Sequence, residues 1–134
     1  RCGNCGSFSV ENKPYSGPFP WKDYPKVFLT TPLNIDQCQV CNEVMGPAGQ
    51  GKIIDAVVED SIRTQLKLFI EKIMAREHCK QVELAERIGI TPEHLSAIKT
   101  GAKIPAYQTF NFLKVMAVDE HAFKLASSSA KLTA

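Results

Sequence analysis

The chain has 134 residues, 44% of them apolar, and a formal net charge of +2, which suits one ordinary domain or two small ones. No apolar run reaches the roughly 18 residues that a membrane-spanning helix needs. The start of the sequence carries no apolar signal core, and the odd cysteine count of five argues against a complete disulfide framework; the expectation is a cytoplasmic protein whose thiols stay reduced.

Two C-x-x-C units open the chain, Cys2-Gly3-Asn4-Cys5 and Cys38-Gln39-Val40-Cys41. Paired units of this spacing, separated by a foldable stretch, predict a tetrahedral zinc site with Cys2, Cys5, Cys38 and Cys41 as ligands. The residue after the second cysteine of such a knuckle often needs positive φ, and Gly6 and Asn42, which stand there, are suited to it. Between the pairs, residues 26–31 (KVFLTT) read as a strand, with a second short strand expected before it. About 45 residues bury little core, whereas structural zinc supplies on the order of 10–16 kcal/mol of apparent binding energy. Metal is therefore the expected basis of order in a β-rich zinc module over residues 1–44.

Residues 45–51 (MGPAGQG) form a breaker cluster, read as a hinge within a linker over residues 45–60. Residues 52–59 read as helix. So do residues 61–77, where Ile62, Leu66, Phe69, Ile70, Ile73 and Met74 recur at helical spacing. The pattern leaves open whether 52–77 is one helix or two. Next come a helix over 80–88 stopped by Gly89, and a helix over 92–100 with Thr91 as N-cap and Gly101 as stop. A helix over about 106–116 and a short one capped by Asp119 complete an all-α domain of about five helices, 61–126, before a small polar tail at 127–134.

Helix, Gly89-Ile90, helix is the order of a helix-turn-helix, with Ala85 small at the crossing and Leu84, Ile88, Ile90, Leu95 and Ile98 as core. The positions Gln81, Leu84-Ala85, Ile88-Gly89-Ile90-Thr91, Leu95-Ser96, Ile98, Gly101 and Pro105 resemble the Cro/repressor (Xre-type) DNA-binding domain. The resemblance implies that the second helix enters the major groove, with Pro92, Glu93, His94 and Ala97 toward the bases. Gln81, Thr91, Ser96, Lys99 and Lys103 are the remaining DNA-binding candidates, Gln81, Ser96, Lys99 and Lys103 toward phosphate. Charge agrees in sign: residues 1–60 hold five basic against seven acidic side chains, and residues 61–134 eleven against seven.

A two-C-x-x-C module followed by such a domain resembles the MqsA-type antitoxins. That resemblance implies a zinc module that holds a small RNA-cleaving toxin, and a dimeric C-terminal domain that represses the operon encoding both proteins. The family's recognition asparagine and arginine align with Glu93 and Ala97, so a different operator is expected. A free-standing zinc-containing transcription factor is the alternative. Catalysis is not expected, because four cysteines would close the zinc shell, and His78, His94 and His121 form no H-E-x-x-H pattern.

Overall fold

The computed structural model describes residues 1–45 and 51–127. A small β module precedes a run of helices, as the sequence leads one to expect. The strands are β1 (Val10–Tyr15), β2 (Pro18–Trp21), β3 (Tyr24–Phe28), β4 (Leu33–Cys38) and β5 (Val44–Met45). The helices are α1 (Gly51–Glu77), α2 (Gln81–Ile88), α3 (Pro92–Thr100), α4 (Tyr107–Val118) and α5 (Glu120–Ser127). Two compact units divide the chain, residues 1–61 and residues from 62 onward. Most of the breaker cluster (46–50) and the tail beyond Ser127 lie outside the described residues.

In the first unit, β1, β4 and β5 form an antiparallel sheet in that order, and β2 and β3 form a separate hairpin. β4 starts with the alternation of a half-buried strand, Leu33 and Ile35 buried and Asn34 exposed between them, and ends with Cys38 buried out of that phase. Pro14, Pro18, Pro20 and Pro25 all sit in β1, β2 or β3, strands with at least one unpaired edge, where a missing N–H removes no ladder bond from the open side. Trp21, Tyr24, Val27, Leu29, Leu33 and Ile35 make the small core. The first part of α1 closes it. Trp21 Nε1 donates to Asp55 Oδ1 at 2.9 Å, and the backbone N–H of Thr30 donates to Ser61 Oγ at 3.0 Å. The Ser61 hydroxyl, fully buried, donates in turn to Val57 O at 2.9 Å.

In the second unit, Ile62, Leu66, Ile70 and Ile73 present one stripe of α1, all fully buried. The other helices contribute Leu84, Ala85, Leu95, Ile98, Phe110, Leu113, Met116, Ala117 and Phe123. Phe69 meets Phe110 edge to face, with ring centroids 5.5 Å apart. Two arginines of α1 serve helix ends whose carbonyls lack intrahelical donors. Arg63 Nε donates to Gly101 O at 2.8 Å, and the Arg76 guanidinium donates to Met116 O at 2.7 Å and Ala117 O at 3.1 Å.

Several expectations need correction. The strand read at 26–31 is β3, Tyr24–Phe28; it ends early because the Thr30 N–H bonds Ser61 rather than a neighbouring strand. Two strands, β1 and β2, precede it instead of one, and β4 and β5 were not foreseen. The choice between one helix and two over 52–77, open in the sequence, is resolved rather than corrected: these residues belong to one continuous helix. Ile88 and Ile90 are only partly buried, while Leu84, Leu95 and Ile98 are fully so. α4 continues to Val118, and its end is held by the Asp119 N–H on Val115 O.

Candidate metal centre and nucleic-acid interface

The two C-x-x-C units fold alike. Gly6 N–H donates to Cys2 O at 2.9 Å, and Asn42 N–H donates to Cys38 O at 3.0 Å. Cys2 N–H reaches Ser7 O, as Cys38 N–H reaches Glu43 O. Gly6 has φ 76° and Asn42 φ 64°, the left-handed conformation the knuckle demands. Ladder pairing of β1 with β4 sets Val10 opposite Cys38, and Gln39 N–H donates to Ser9 O, so the sheet holds one knuckle against the other.

All four sulfurs lie within 4.8 Å of one another, with Cys2 and Cys41 Sγ 3.7 Å apart and Cys5 and Cys38 Sγ 3.5 Å apart. A tetrahedron with metal–sulfur bonds of about 2.3 Å has edges of about 3.8 Å, so the spacing fits one ion. A disulfide would need sulfurs at about 2.0 Å. The donor set fits too: thiolates select soft or borderline cations, and a four-sulfur tetrahedron suits zinc or iron. Cys2 and Cys38 are buried, Cys41 is half-buried and Cys5 is exposed. The backbone N–H groups of Cys41 and Val40 hold the Cys38 thiol down at about 6. Cys2 is lowered in the same way by the N–H groups of Cys5 and Asn4. Cys5 receives an N–H bond from Ser7 that lowers it, but the proton shared with Cys38 and burial outweigh that bond and push it up to about 12. The knuckle backbone thus favours thiolate at the better-buried pair.

The helix-turn-helix is built on its predicted punctuation. Gly89, at φ 87°, ends α2 with its N–H on Ala85 O and Glu86 O, and Ile90 N–H follows onto Ala85 O. Thr91 is extended, and its hydroxyl accepts the His94 N–H at 3.1 Å, with Pro92 first in the helix. Leu95 and Ile98 fix the inner face of α3. On the outer face Pro92, Glu93 and Ser96 are exposed, and His94, Ala97 and Lys99 are partly so. Gln81 opens α2, partly exposed, and Thr91 and Lys103 are exposed. The loop bearing Lys103 folds back on the helix, Lys103 N–H donating to Ala97 O at 3.2 Å. Arg87 is turned elsewhere, bonded to Glu83 and stacked 3.8 Å above the Phe123 ring. Cys79, half-buried, is held above its usual range by burial and by Glu83.

The sequence reading missed Arg63. A lone arginine on a helix does not announce which carbonyl it will cap, since that depends on the loop 38 residues further along. Among the described residues no helix is long and apolar enough to cross a membrane. No family model matches the chain, and neither a curated protein nor a solved structure matches it.

Proposed function

We propose that this chain is a sequence-specific DNA-binding transcriptional regulator, the antitoxin of a type II toxin–antitoxin pair that binds its toxin and represses its own operon. One observation carries the DNA-binding reading: α3 is capped at Thr91, pinned inward by Leu95 and Ile98, and open on the opposite face. A short helix so presented is the shape that enters a major groove. In this reading Pro92, Glu93, His94 and Ala97 face base edges, and Gln81, Ser96, Lys99 and Lys103 hold phosphates. The antitoxin part is supported by the combination of a four-cysteine module with this domain.

The metal is zinc, one per chain, and its role is structural. Four sulfur ligands would leave no open coordination position for a substrate, so the protein is not an enzyme. Regulators of this kind read paired half-sites, which implies a homodimer, and paired cysteines that bind metal imply the cytoplasm, where thiols stay reduced. Residues 1–44 form the zinc module and 61–126 the DNA-binding domain.

Retardation of a duplex from upstream of its own gene, measured over a salt series, tests the reading. Binding should weaken steeply with salt as phosphate contacts release counterions, and absence of binding at low salt defeats it. Co-purification of a small protein encoded next to this gene supports the toxin partnership; a chain that binds its promoter with no such companion is the free-standing regulator instead.

A further inference from the structure

The loop after α3 carries Lys103, and its backbone is tied at two points. Lys103 N–H returns to Ala97 O at 3.2 Å, and Gly101 O receives Arg63 Nε at 2.8 Å. Gly101 itself stands at φ 84° with its N–H on Ile98 O. A Cβ built on Gly101 would lie 3.3 Å from Arg63 Cδ, so the arginine stem lies flat against the bare glycine backbone. The contact is therefore shaped on both sides: glycine supplies the turn and the space, and arginine supplies a donor in mid-side-chain. Lysine has no nitrogen at that position, and its single ammonium lies further out. α3 ends with its carbonyl dipoles facing this guanidinium, which a cation there stabilises.

We propose that Arg63, on α1 and outside the helix-turn-helix, is a positioning residue for Lys103, setting the loop backbone from which Lys103 reaches a DNA phosphate. This deepens the DNA-binding reading above and rests on it. Arg63 acts through Gly101, so its contribution to DNA affinity exists only while Lys103 is present. An arginine that contacted phosphate directly would act independently of Lys103, and lysine would replace it.

The test is a double-mutant cycle on the full, metal-loaded chain, using the duplex from upstream of its own gene and an unrelated duplex of equal length, with affinity read over a salt series. Arg63→Met keeps the stem and removes the donor; it should weaken both duplexes about tenfold and flatten the salt slope by about one. Arg63→Lys should not restore binding. In a Lys103→Ala background, Arg63→Met should cost less than about twofold more. Additive losses, wild-type affinity in Arg63→Met, or full rescue by Arg63→Lys would each overturn the assignment. Thermal melting of each variant verifies folding, and Arg63→Gln takes the place of Arg63→Met under the same criteria should the latter not fold. A wild-type chain that binds neither duplex at low salt defeats the DNA-binding reading and this inference together, whereas additive losses defeat this inference alone.

Discussion

The two compact units solve the same problem by different means. Residues 1–61 form two small sheets of two and three strands around a few apolar side chains, and four sulfurs converge at one point. In the second unit every helix buries apolar side chains, aliphatic ones from α1 to α4 and Phe123 from α5, with Arg63 and Arg76 closing helix ends. Core size is the difference. A helical unit with that many fully buried residues is held by apolar contact, while a module of short edge strands has little core to hold it, and its four clustered cysteines could supply a cross-link by holding a metal ion. The backbone agrees: knuckle N–H groups spend themselves on cysteine carbonyls and on Cys38 Sγ, preparing ligands rather than extending a sheet.

The largest test of this contrast is metal removal. A chelator under reducing conditions should withdraw about 10–16 kcal/mol of apparent binding energy from the first unit. Trp21 emission should then shift to the red as its bond to Asp55 is lost, while most helical circular dichroism persists; an unchanged Trp21 signal in metal-free protein would show that the sheets stand alone. Ile98→Ala should cost the helical unit about 2–5 kcal/mol in denaturant unfolding and leave metal stoichiometry unchanged. Ser61→Ala should destabilise the first unit by about 1–3 kcal/mol, seen in the Trp21 transition, because the Thr30 N–H loses its acceptor. Thr91→Ala should lower helical-unit stability by about 1 kcal/mol through the lost bond from the His94 N–H. The smallest effect is kinetic: in metal-loaded protein Cys79 should alkylate slowly at neutral pH, since burial and Glu83 keep its thiol protonated.

Legibility in the sequence followed the same divide. Helices announce themselves through local periodicity and punctuation, and Gly89, Thr91, Pro92, Gly101 and Asp119 each do what their chemistry foretold. The cysteine cluster was legible for the same reason, being two local motifs, and the positive φ of Gly6 and Asn42 came with it. The strands were less so. β1 and β2 contain prolines that read as breakers, and only their place in two- and three-stranded sheets makes those prolines acceptable. Two residues past the end of β3 the Thr30 N–H goes to a serine 31 residues away, a contact with no local signature. Arg63 escaped notice on the same ground: its partner is a carbonyl, a group every residue carries.

α1 begins in one compact unit and ends in the other, and the junction between Ser61 and Ile62 falls inside a continuous helix. Severing the polypeptide there would leave a fragment starting at Ile62 with its leading amides bare, and a fragment ending at Ser61 with its trailing carbonyls bare. Anyone building chimeras from this protein must therefore graft the whole helix along with either piece, because the seam that contacts reveal is not a place where the chain tolerates scissors.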